Sequence, residues 1–161
     1  MKKILLFAVM SLATVTLCAN PLKGWCPTRS DLVKANPNMI KAAADSITLT
    51  GIPKMKWMYF KPSAPVNAVK GQKVEITLTA SGKGNVQVGY YEYKGGFNTS
   101  RLTVKNVVLT DKAAEQKIVL DVLSGETKIV RPIFILNSDS QIVVKKFAVK
   151  VLAPAPAPAK K

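Results

Sequence analysis

The 161 residues contain no histidine. That removes the commonest general base, the Ser-His-Asp arrangement and the usual zinc ligands together. A cysteine without a histidine partner is no protease nucleophile of the ordinary kind, and the sequence holds no Gly-rich phosphate loop and no dinucleotide fingerprint. What remains for catalysis is a carboxylate pair, which glycosidases hold roughly 5 to 10 Å apart. Glu75 and Glu92 are the pair to consider, on strands expected to be neighbours. Alternation turns Glu75 outward and Glu92 inward, so they are not expected to share a cleft. The sequence therefore reads as non-enzymatic. No cofactor is expected.

The second chemistry available is recognition by aromatic faces. Trp57, Tyr59, Tyr91, Tyr93 and Phe97 are the candidates, with Gln87 and Arg101 as polar neighbours and Arg131 as an anion contact. Tyr91 and Tyr93 are two residues apart, which puts them on one face of a strand, opposite Val86, Val88 and Tyr90. Trp57 and Tyr59 also share a face, but Lys56, Met58 and Phe60 fill the other, so alternation alone leaves open which set is buried. Trp57 is expected in the core.

These residues lie in a body that reads as strands. The segments 46–50, 55–60, 73–80, 85–93, 102–109, 116–122, 128–136 and 141–151 are short, β-branched and punctuated by turn residues. The pattern predicts an all-β sandwich of about eight antiparallel strands. Val74, Ile76, Leu78 and Ala80 alternate with Lys73, Glu75, Thr77 and Thr79, and Ile118, Leu120 and Val122 form another inward set. Ile142 and Val144 have the opposite parity to Phe147, Val149 and Val151, which predicts a bulge at Lys145 and Lys146 or a strand that switches sheets. Ahead of the strands, the alanine-rich stretch from Pro37 to Asp45 predicts two turns of helix capped by Asn36.

Lys2, Lys3 and the apolar run from Ile4 to Leu17 have the form of a secretory signal peptide, too short for a membrane span. Cleavage is expected after Ala19, giving a signal peptide over 1–19, a sandwich over 20–152 and a Pro-Ala-Lys tail over 153–161. Lipid attachment at Cys18 is the alternative, and no second apolar run would make a transmembrane segment. The expected location is secreted or periplasmic. Cys26 is then a lone thiol, and the fold must rest on its core. The tail, with prolines at alternate positions, favours an extended polyproline II rod. Asn98-Thr99-Ser100 matches a glycosylation sequon in a Gly-rich turn.

The chain carries a formal charge of +15, and the leader removes only two of its lysines. This balance favours polyanions, and for an exported chain a polysaccharide or another anionic envelope component comes before nucleic acid. The plainer reading is that the lysines keep a small secreted protein soluble.

The order of these features resembles the carbohydrate-binding jelly-roll modules of the galactose-binding-domain-like superfamily. Pro21-Leu22-Lys23-Gly24-Trp25 resembles their opening, Ser46-Ile47-Thr48-Leu49-Thr50-Gly51 the first core strand, and Val69 to Leu78 the element in which a glycine turn leads into an apolar strand. Ile129 to Phe134 and Gln141 to Val144 are similar to the closing pair. The resemblance implies a jelly roll and a role in glycan binding, with Trp25 packing at the sandwich edge. It also implies a departure, because many such modules hold calcium with an aspartate pair where this chain has Lys145 and Lys146. Ammonium groups cannot ligate a cation that wants six to eight oxygens, so no metal is expected there. A structural or adaptor protein of the envelope, binding protein and not glycan, is the competing reading.

Overall fold

The computed structural model describes residues 25–27, 30–62, 65–95 and 98–154. The signal-peptide reading of 1–19, the lipid attachment at Cys18, Phe97 and most of the tail lie outside them.

Two antiparallel sheets face one another. The first contains β1 (Cys26–Pro27), β4 (Met58–Lys61), β5 (Val66–Asn67), β7 (Val86–Gly95), β8 (Asn98–Val107) and β10 (Ile129–Leu136), in the order β1-β4-β10-β7-β8 with β5 also on β10. The second contains β2 (Ile40–Ala42), β3 (Ile47–Thr50), β6 (Lys73–Lys83), β9 (Ala114–Asp121) and β11 (Gln141–Leu152), in the order β2-β3-β11-β6-β9. The expected sandwich is present, and the extra strands beyond the expected eight are the short β1, β2 and β5.

Alternation places the core where the sequence put it. Val74, Ile76, Leu78 and Ala80 of β6, Val86, Val88 and Tyr90 of β7, and Ile118, Leu120 and Val122 in and just after β9 are all buried in one apolar cluster. Trp25 joins the two sheets. It is 7 % exposed, and its ring stands edge-on to Phe134 of the first sheet at 4.7 Å and to Phe147 of the second at 5.5 Å. The expected bulge is also present: Val144 pairs with Ala80 and Lys146 with Thr79, so Lys145 is an extra residue on β11. The insertion lets Ile142 and Val144 share the inner face with Phe147 despite their opposite parity.

The expected helix from Pro37 to Asp45 is not formed. A helix of six residues, α1 (Ser30–Ala35), precedes it, and Asn36 closes that helix by donating its backbone N–H to the Leu32 carbonyl at 2.9 Å. Ile40, Lys41 and Ala42 instead pair with β3, and Ala43 N–H bonds the Ser46 carbonyl at 2.8 Å to close the turn. Alanine propensity is a weak preference. Here it loses to a hairpin that buries Met39 and gives the edge of the second sheet a neighbour.

β10 has an interruption on one side. β4 pairs with it from Phe134 to Leu136 and β5 at Ile129 and Val130, which leaves Arg131, Pro132 and Ile133 between the two. Pro132 cannot donate to a ladder and is tolerated in sheets where a strand has an open side. On the other side β7 pairs with β10 along its whole length.

Candidate functional site

In β4, β7 and β10 the odd-numbered residues face away from the core. Register then fixes which of them meet: Tyr59 pairs across Ile135 with Gln87, which continues to Asn106 on β8. Arg131 pairs with Tyr91, which continues to Leu102, and Ile129 pairs with Tyr93. Lys61 and Ile133 have the same outward parity. Trp57, one residue ahead of β4, has the parity of Tyr59 and is half-buried. Met58 and Phe60 take the inner side, so the expectation of a core Trp57 is corrected. Met58 and Phe60 fill the space opposite Phe134 and leave the tryptophan to the outer face.

The face is a compact arrangement of rings and cations. The Tyr91 and Tyr93 centroids are 6.3 Å apart with the rings inclined at 71°. Lys61 Nζ lies 5.3 Å from the Tyr91 centroid, and the Arg131 guanidinium lies 5.8 Å from that of Tyr93. Because β10 runs between β4 and β7, the contact of Lys61 with Tyr91 crosses over β10. Ile133 and Ile135 lie under this arrangement, buried but outside the main core cluster. Between Ile133 and Val104 stands Gly89, where a Cβ would strike the Thr103 carbonyl.

Tyr91 and Tyr93 do not have equal standing. Tyr91 is half-buried, and Tyr93 is 4 % exposed. The expectation that both are surface residues is corrected for Tyr93, whose ring is packed between Arg131 and Tyr91 although it points away from the core. Their T-shaped contact means that one flat sugar ring cannot lie on both. Of the two, Tyr91 is the ring with an exposed part, and Tyr93 packs beside it. Burial, then the neighbouring Tyr59 and Tyr93 hydroxyls, push the Tyr91 phenol above its ordinary pKa.

Gln87 donates from Nε2 to Asn106 Oδ1 at 3.0 Å, an amide pair set along one edge of the face. Arg101 is not part of it. It pairs with Glu92 and has the inward parity, and its charge acts on Tyr90, on the other side of the sheet. Phe97 lies outside the described residues. Sequence reading missed Lys61, Asn106 and Leu102, which only strand register brings to the face.

The carboxylates do not assemble into a cleft. Glu75 and Glu92 are on different sheets and not on neighbouring strands. Glu75 is paired with Lys117 at 2.7 Å. Glu92 is fully buried and accepts hydrogen bonds from Ser124 N–H at 2.9 Å, Leu123 N–H at 3.3 Å and the Thr127 hydroxyl at 2.6 Å. It anchors a loop. Among the described residues no three His, Cys, Asp or Glu side chains are grouped to hold a metal ion, and no helix is long and apolar enough to cross a membrane.

No protein-family model and no curated protein matches the sequence. Solved structures do match the fold. CBM4 superposes with a TM-score of 0.58 at 13 % identity, over 83 % of this chain and 90 % of that one. The enzymatically active domain of tailspike protein 4 from bacteriophage CBA120 superposes with a TM-score of 0.54 at 12 % identity, over 66 % of this chain. The match spans only 15 % of the tailspike chain. The chain thus has the β-sandwich fold found among carbohydrate-binding modules, as the sequence resemblance implied.

Proposed function

We propose that the chain is an exported, non-catalytic glycan-binding module that takes a sugar chain across the outward face of β4, β10 and β7. The observation that carries this is the gathering of Trp57, Tyr59, Tyr91 and Tyr93 on one face, beside the amide pair of Gln87 and Asn106. Aromatic faces stack on pyranose rings and amides bond hydroxyls, and a sheet supplies both on a rigid support. The likeness to CBM4 supports the reading at the level of the fold. The burial of Glu92 and the pairing of Glu75 support a binding role over hydrolysis.

Affinity electrophoresis of the mature protein through gels containing soluble polysaccharides, neutral and acidic, tests it. Retardation by at least one polymer, lost in Tyr91→Ala, is the expected result. Unaltered mobility in every polymer would overturn the proposal.

A further inference from the structure

We infer that the glycan this face takes is a carboxylated one, a polyuronate, an inference that rests on the glycan-binding reading. The first ground is the charge of the face itself. β4, β7, β8 and β10 together contain a single acidic residue, Glu92, and it is turned to the core and hydrogen-bonded there. The outward positions of these strands carry two cations, Lys61 and Arg131, and no carboxylate. The general basicity of the chain does not produce this, since the outer face of the second sheet interleaves its lysines with acids: Lys117 is paired with Glu75, and Lys73 with Asp121 at 3.3 Å.

The second ground is where the two cations stand. Lys61 lies over Tyr91 and Arg131 over Tyr93, so each charge is held at a ring by attraction to its face. Arg131 Nε is buried without a hydrogen-bond acceptor among the described residues, which is a costly condition for a charged donor. A uronate stacked on Tyr91 brings a carboxylate within reach of the Lys61 ammonium and so adds a charge-assisted hydrogen bond that a neutral sugar does not make. Arg131, opposite Tyr91 on the next strand, is placed to meet a carboxylate with the planar fork that a lysine lacks.

The test measures binding of the mature protein to polygalacturonate and alginate and to the methyl ester of each, which keeps the ring and removes the charge. The acid forms should bind roughly tenfold more tightly. In Lys61→Met with Arg131→Gln, the ratio of acid to ester affinity should fall to about one whatever the change in ester binding itself, and Arg131→Lys in place of Arg131→Gln should restore only part of that ratio. Near-ultraviolet circular dichroism confirms that each variant is folded. Equal affinity for acid and ester would overturn the polyuronate inference and leave the glycan reading standing. Binding to no polymer would overturn both. A preference that survives the double variant but disappears in Lys145→Gln with Lys146→Gln would assign it to general surface charge, and would also overturn the inference.

Discussion

The Thr127 hydroxyl donates to the buried Glu92 carboxylate at 2.6 Å, tying the loop after β9 to the end of β7. The same carboxylate accepts from the Leu123 and Ser124 backbone. Glu92→Ala leaves three donors without this acceptor and should cost about 3 kcal/mol or more of folding stability. Glu92→Gln keeps the shape but sets an NH2 group among donors, so it should also destabilise, by less. Urea denaturation of both variants checks this, and a loss under about 1 kcal/mol for the alanine would contradict the anchoring role.

Tyr91→Ala and Tyr93→Ala should separate binding from folding. Tyr91 is the half-exposed ring, and its loss should weaken glycan binding by roughly 1 to 3 kcal/mol, as for aromatic stacking on other ring ligands, with little change in stability. Tyr93 is buried under Arg131 and beside Tyr91, and its truncation should cost about 3 kcal/mol of stability. Calorimetric titration and thermal melts on both proteins decide the assignment. The reverse pattern would exchange the two roles.

Alkaline pH should weaken the fold through Tyr90. Its hydroxyl donates to the Asp121 carbonyl at 2.6 Å, and burial, followed by the nearby Glu92 and Asp121 charges, raises its pKa well above the ordinary 10.0. Below pH 10 the phenol is neutral in both states and the stabilisation is fully present. As pH rises past 10 the unfolded phenol ionises while the folded one does not, so the unfolded state binds fewer protons and stability falls. Tyr90→Phe should flatten that decline between pH 9 and 11 while costing about 1 kcal/mol at neutral pH. Equal pH slopes for the two proteins in urea denaturation would refute it.

Deleting Lys145 should be tolerated. The residue is the extra one between the pairs Val144 with Ala80 and Lys146 with Thr79. Its removal restores regular alternation, with Val144 and Phe147 still on the inner face. Deleting Thr77, from the regular middle of β6, turns one half of that strand inside out and should prevent folding. Circular dichroism and melting of the two deletions measure the contrast, and equal damage would show that the bulge supplies a necessary twist.

The inner faces of β6, β7 and β9 were legible in the sequence, because a period of two is a local property that each strand carries alone. The bulge at Lys145 was legible for the same reason, as a break in that period. The candidate site was legible only in part. Gln87, Tyr91, Tyr93, Tyr59 and Arg131 meet on one face as their types suggested, but parity within a strand says nothing of its partner's register. Arg101 was therefore placed beside the tyrosines when its pairing with Glu92 sends it to the other side. Lys61 and Asn106 were missed because their place depends on residues far along the chain. Trp57 was misjudged because both faces of its segment are apolar enough to be buried, and only Phe134 across the sheet decides between them.

The position of β11 sets the order in which the molecule can be completed. It is the last strand among the described residues, yet it runs through the middle of the second sheet, with β3 on one side and β6 on the other. Any delivery that brings the N-terminal end first leaves β3 and β6 without their common neighbour until residues 141–152 arrive, so their facing backbone edges wait unpaired. Distant pairings of this kind form slowly. Until β11 arrives the second sheet is split along its middle, and the open edges of β3 and β6 are a template on which another chain can pair.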